Sequence, residues 1–352
     1  MKKVIRLSTV VLMVLFGLTV TFTSCDNDDD IFAYVDEYDA PLTEEKGATH
    51  NGDYFPFIKV NYWKYTGNEN VTGEMTMNYQ GEKETESLSD SYSCSSTMVV
   101  NAPESVNLNS GTYTLYPVKE TETVDYETSY ITRYFEKSTD AIYLKAIQMD
   151  YGNITEVKNP VYLKIPLVVG DRWETQPEID MESLMKEQID FSGDINLDMK
   201  CMIYVIGKED VNWKGNNVET VRLDERAQAK AKINIEEDGV KGTMSFDIQI
   251  MLNLNYLEGV GLIRQKSNLS LTMAGSFSGD GEKITINLDM DSEGNYILSS
   301  YNFNNEKRAT IKSEGEKSDF KNRFPVLSDN PNIQNKLERC IEITDIIKKI
   351  VL

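Results

Sequence analysis

Histidine is almost missing from this 352-residue chain; His50 is the only one, which excludes mechanisms that need two imidazoles and nearly every histidine-rich metal site. Basic charge is scarce as well. The 36 Lys and Arg are outnumbered by 57 Asp and Glu, for a formal net charge of −21, and no Lys/Arg cluster offsets it. Such a chain repels phosphate backbones, so nucleic acid is excluded as a partner. Only four cysteines are present, and no GxSxG, HExxH, Walker or GxGxxG pattern occurs, so the common catalytic and nucleotide-binding signatures are missing. Long apolar runs are missing too. The one continuous stretch, Val10 to Val20, is about half of the roughly 20 residues a membrane-spanning helix needs.

What is present begins with an address label. Residues 1–24 combine a basic start (Lys2, Lys3, Arg6), that short apolar run and small polar residues before a cysteine, the three parts of an export signal. The segment Phe22-Thr23-Ser24-Cys25 resembles a lipobox, where signal peptidase II cuts ahead of a cysteine that then carries diacylglycerol and an N-acyl chain. The resemblance implies that Cys25 is the lipidated first residue of the mature protein, and loss of residues 1–24 takes the formal charge from −21 to −24. The run Asp26-Asn27-Asp28-Asp29-Asp30 directly after it is similar to the acidic export signal of surface lipoproteins of the Bacteroides group. That likeness covers about thirty residues and implies an outer-membrane, lipid-anchored protein facing the cell exterior. Several acyl chains would anchor it stably without any other membrane contact. Residues 25–52, with Pro41, Glu44, Glu45, Gly47 and Gly52 and no sustained period, read as an extended acidic tether, and His50 near its end reads as exposed and incidental.

Over 53–330 the dominant signal is alternation of apolar and polar residues, the period of a strand with one buried face. It runs through Val71, Met75, Met77 and Tyr79; Tyr92, Cys94, Met98 and Val100; and Ile195 to Val205. It continues in Ala227 to Ile235, Met244 to Tyr256, Leu269 to Phe277 and Ile284 to Met290. Turn signals separate the runs at Asp150–Asn153, Glu237–Gly239 and Gly279–Gly281, and a fourth is read at Ser292–Asn295. The expectation is a mainly β protein, a long-stranded antiparallel meander that is curved or packed as a half-barrel or sandwich. Helical spacing marks a short mid-chain helix at 177–189, and an amphipathic C-terminal helix over 331–352 that would cover part of the sheet.

Two segments repeat a pattern, Phe55-Pro56-Phe57 with Trp63 and Ile165-Pro166-Leu167 with Trp173, each placing Trp seven residues after Pro. Their spacing suggests duplicated β units with a seam near 160. Together with Gly259-Val260-Gly261-Leu262 the combination resembles a type of β-rich bacterial lipoprotein domain, and turns and core aromatics are the roles it implies.

The chemical constellations are thin. Beyond Cys25, three cysteines cannot all pair within one chain, and Cys94, Cys201 and Cys340 fall on apolar faces, which reads as buried inert thiols. Asp289-Met290-Asp291-Ser292-Glu293-Gly294 starts like a calcium loop but has Ser300 where a bidentate Glu is required, so no metal is expected there. No catalytic residue and no cofactor are assigned. The leading functional expectation is a non-enzymatic binding or structural lipoprotein with a hydrophobic or glycan ligand; the alternative is a glycan hydrolase using paired carboxylates. An apolar groove lined by Phe246, Ile248, Ile250, Leu252 and Ala229 could hold an acyl chain. Closure of the sheet on itself or sheet-on-sheet packing is favoured over it, because apolar faces are usually buried by the protein itself.

Overall fold

A computed structural model describes residues 32–58, 62–79, 81–124, 127–149, 153–157, 161–175, 194–237, 240–279 and 282–302. The signal segment, Cys25, Asp26 to Asp30, the expected helices at 177–189 and 331–352, and Cys340 lie outside them.

The alternating runs become long strands. In the first half come β1 (Thr49–His50), β2 (Tyr62–Tyr79), β3 (Glu82–Val100), β4 (Glu104–Leu108), β5 (Gly111–Val124), β6 (Glu127–Lys137), β7 (Ala141–Met149), β8 (Thr155–Glu156) and β9 (Val161–Lys164). The second half holds β10 (Leu167–Val168), β11 (Arg172–Glu174), β12 (Asp194–Trp213), β13 (Asn216–Glu237), β14 (Val240–Leu257), β15 (Gly261–Gly279) and β16 (Glu282–Asn302). One short helix, α1 (Ala33–Asp36), precedes them. β2 shows why these are strands: Trp63, Tyr65, Val71, Met75 and Met77 are buried on one side, while Lys64, Thr66, Asn68, Asn70 and Thr72 are exposed on the other.

Among the described residues, fourteen strands form a single sheet in the order β11-β12-β13-β14-β15-β16-β2-β3-β5-β6-β7-β8, with β4 on β5 and β9 on β7. The fold is mainly β, antiparallel and long-stranded, and the sheet does not close into a barrel. Most neighbours are consecutive hairpins. The exception at the centre is β16 against β2, paired antiparallel from Ile284↔Tyr79 to Asn302↔Tyr62, which joins the two halves of the chain into one surface. The position near 160 is therefore not a seam between packed units. There the chain leaves one edge, β9, and re-enters at the other, β11.

That crossing dictates the curvature. A flat sheet would hold β9 and β11 roughly 50 Å apart at about 4.8 Å per strand. Only residues 165–171 connect them, which span at most about 28 Å. The sheet must curl, and its apolar face turns inward. One contiguous core takes side chains from β2, β3, β5–β7 and β11–β16, including Phe246, Ile248, Ile250, Leu252 and Ala229, each at most 3% exposed. The residues proposed to line a lipid groove are thus core residues. Apolar side in and polar side out is also the inverse of a membrane-spanning barrel, whose apolar band faces lipid.

The repeated Pro…Trp segments open the two halves. Trp63, 1% exposed, starts β2 and donates its Nε1–H to Val260 O at 2.6 Å, while Tyr65 OH donates to Leu262 O at 3.1 Å. Gly261, at φ +106°, has the Trp63 indole 3.1 Å from where a Cβ would sit, so the Gly259–Leu262 turn and the Trp are built against each other. Phe55, Phe57, Phe135, Tyr116 and Tyr162 complete the aromatic cluster, with ring centroids 5.1–5.8 Å apart.

Three expectations need correction. Ser292–Asn295 is not a turn; it lies inside β16, with Gly294 paired to both Ser267 of β15 and Glu69 of β2. Two flanking strands satisfy its backbone, which outweighs the local preference of Gly and Asn for a turn. From residue 32 onward, moreover, the expected tether is docked. Val35 is fully buried, Tyr204 OH donates to Val35 O at 2.9 Å, and Tyr38 OH donates to Asp224 Oδ2 at 2.5 Å. Arg226 lies 3.8 Å from the Tyr34 ring centroid and 4.4 Å from that of Tyr38. His50 is not a bystander either, since its Nε2 lies 2.8 Å from Glu44 Oε2 with the imidazole 9% exposed. The physical cause is a pair of aromatic side chains in a polar segment, Tyr34 and Tyr38, matched to Arg226 and Asp224 on the outer face of β13, with Val35 buried between them.

Candidate functional site

Two polar arrangements stand out, one inside the curl and one outside. The inner one gathers carboxylates from neighbouring strands. On β5, Glu120 pairs with Arg133 of β6 and accepts from Ser96 Oγ of β3 at 2.6 Å. On β2, Glu69 accepts a hydrogen bond from Ser292 of β16. Glu122, two residues along β5 from Glu120, has no hydrogen-bond partner for either carboxylate oxygen among the described residues. Its burial, reinforced by the charges of Glu120 and Glu69, pushes its carboxyl well above the ordinary range. Tyr296 of β16, buried beside Glu122, Cys94 and Glu69, is pushed up in the same way.

Further around the curl, Cys201 Sγ of β12 donates to Glu225 Oε1 of β13 at 3.3 Å, and burial raises Glu225 to about 7. The same burial, together with Glu225, pushes the Cys201 thiol up, the opposite of what an activated nucleophile requires. Cys94 and Cys201 are both buried.

The chemistry open to this cluster is narrow. Glu69, Glu120 and Glu122 are at most 2% exposed, with Glu120 paired to Arg133, Glu69 held by the Ser292 hydroxyl and the Glu122 carboxyl pushed up by burial. A glycosidase pair must meet both sugar and water, and these groups meet neither. Among the described residues, no group of three or more His, Cys, Asp or Glu is placed to hold a metal ion.

The outer arrangement is open to solvent. A concavity of about 460 Å³ lies on the polar face of β14, β15, β16 and β2, lined by Gln249, Asn268, Ser270, Asp291, Glu293, Asn70 and Thr72, with Leu269 and Ser292 beneath and Tyr34 beside it. The strand registers order these side chains. Gln249 pairs with Ser270, Ser270 with Asp291, and Asp291 with Thr72. Two residues along, Asn268 pairs with Glu293 and Glu293 with Asn70. The result is two parallel polar rows about 7 Å apart, one crossing four strands over about 14 Å and the other crossing three. Amides, hydroxyls and carboxylates alternate in them, and no basic residue lines the concavity. Such a surface offers both donors and acceptors to a neutral, hydroxyl-rich ligand and repels an anionic one. Tyr34, with its ring fixed over Arg226, adds an aromatic wall.

Sequence reasoning missed this site. The one available signal was the outward positions themselves: Asn70, Thr72, Gln249, Asn268 and Ser270 are short and neutral where a solvated strand face commonly carries Lys and Glu. Of the residues singled out from sequence, Cys25, Asp26, Asn27, Asp28, Asp29 and Asp30 lie outside the described residues, and Asp291 and Glu293 of the rejected calcium loop reappear here as part of a strand.

No family model and no curated protein matches the chain. Among solved structures it is similar to the Pseudomonas aeruginosa protein OccK11 (OpdR), at 5% identity over 70% of this chain and 100% of that one, TM-score 0.16. The transport unit of the autotransporter AIDA-I from Escherichia coli is 9% identical over 68% of this chain and 90% of that one, TM-score 0.16. At that TM-score neither likeness carries anything about this chain's fold or function.

Proposed function

We propose that this chain is a cell-envelope lipoprotein, anchored through acylated Cys25 in the outer membrane and facing the cell exterior, which binds a neutral glycan without processing it. The observation that carries the binding role is the pair of polar rows on the outer face of β14, β15, β16 and β2, flanked by Tyr34. The lipobox-like segment and the acidic run after it support the anchor and its location. A non-enzymatic role is supported by the sealing of the inner carboxylates Glu69, Glu120 and Glu122 away from solvent.

Loss of one neutral hydrogen bond costs about 0.5–1.5 kcal/mol, so Asn70→Ala combined with Asn268→Ala should weaken binding roughly tenfold with the fold intact. Calorimetric titration of the purified lipoprotein with neutral oligosaccharides checks this. Binding that is indifferent to both substitutions removes the site, and release of new reducing ends during incubation restores the hydrolase.

A further inference from the structure

The docked N-terminal segment ties the outer concavity to the anchor. Phe32 is the first of the described residues, and only residues 26–31 separate it from Cys25, a reach of at most about 25 Å. Tyr34, two residues further on, belongs both to the clamped segment and to the wall of the concavity. The clamp is firm: Val35 is fully buried, Tyr38 holds Asp224 at 2.5 Å, and Lys200 Nζ reaches Asp36 Oδ1 at 2.5 Å. Residues 34–38 lie on the outer face of β12 and β13, and a reach of about 25 Å beyond Phe32 is too short to pass round the curl. The face that carries the concavity is therefore the face turned to the bilayer, with the site within about 32 Å of chain from the acylated cysteine.

From this placement we infer that the saccharide taken by the site is membrane-borne: the neutral sugar head of a glycolipid in the leaflet that holds the anchor. The inference rests on the glycan-binding and lipid-anchor readings above. Tethering converts capture of such a head group into a local event whose effective concentration falls with tether length to roughly the −3/2 power. A soluble sugar gains nothing from it.

The test uses the full lipidated chain in phosphatidylcholine vesicles carrying neutral glycolipids with galactosyl, glucosyl or mannosyl heads, alongside the free oligosaccharides cut from them. A second protein carries a Gly/Ser insertion of about twenty residues between Asp30 and Ile31, outside the docked segment. For a glycolipid in its own vesicle, the insertion should lower apparent affinity about fivefold. For the free sugar the two proteins should bind alike. If free sugar binds but the insertion leaves glycolipid capture unchanged, the membrane-borne source is wrong and the glycan site stands. If neither form binds, or binding survives Asn70→Ala with Asn268→Ala, the glycan site itself is wrong and this inference falls with it.

Discussion

Replacing Glu225 by Gln should reverse part of the protein's response to pH. Glu225 lies on β13, accepting a hydrogen bond from Cys201 Sγ at 3.3 Å, and burial raises its carboxyl to about 7. In an unfolded chain a Glu titrates near 4.3. Between those values the folded state keeps a proton that the unfolded state has released. A native state that binds more protons loses stability as pH rises, so the loss runs from about pH 4.5 to just above 7. At about 1.4 kcal/mol per pH unit of separation, the full effect is roughly 3 kcal/mol. Gln keeps a carbonyl to accept from the thiol and cannot ionise. The variant should therefore match the parent near pH 4.5 and exceed it by roughly 3 kcal/mol at pH 8. Glu122, raised by the same kind of burial, adds a loss of the same sign in both proteins and cancels in the difference. Urea unfolding followed by tryptophan fluorescence, repeated from pH 4.5 to 8, gives both curves. Parallel curves would refute the reasoning, because they would mean that Glu225 titrates alike in folded and unfolded chains.

Three further outcomes follow from other residues. Arg133→Met strands Glu120 as a buried charge and should cost about 3–5 kcal/mol in the same assay, with much of that recovered when Glu120→Gln is added. Gly67→Ala places a Cβ 2.4 Å from the Asn295 carbonyl oxygen of β16, so the central strand pair must part, at a cost of about 1–3 kcal/mol; a neutral result contradicts that close approach. In cells, Cys25→Ala should leave the protein unprocessed or released from membranes, whereas Ala at Asp26, Asp28, Asp29 and Asp30 should leave it lipidated but shielded from added protease. Surface exposure that persists in the second variant reduces the acidic run to a spacer.

The alternating runs from Val71 to Met290 were enough to place the long strands and to say which side of each is buried, because a period of two is a local property of an extended backbone. The glycines after Glu237 and Gly279 marked two hairpins for the same local reason, and the Trp63 and Gly259–Leu262 segments were recognisable as partners in core and turn. Periodicity could not say which strands become neighbours. β16 and β2 meet across most of the chain, and only that pairing brings Asp291 beside Thr72, and Glu293 beside Asn70, into one polar surface. The same pairing overruled the turn preference of Ser292–Asn295. The inner carboxylates were hidden by their chemistry. Glu69, Glu120 and Glu122 occupy inward positions where the alternation predicts an apolar residue, and they read as ordinary surface acids until the curl encloses them with Arg133 and Ser292. The docking of residues 32–50 depended on partners such as Asp224, Arg226 and Ile206, far away in the chain, so composition alone made that segment a tether. Local hydrophobic period set the faces of the strands; strand order, curvature and the partners of each buried charge came from contacts between distant residues, which no local pattern encodes.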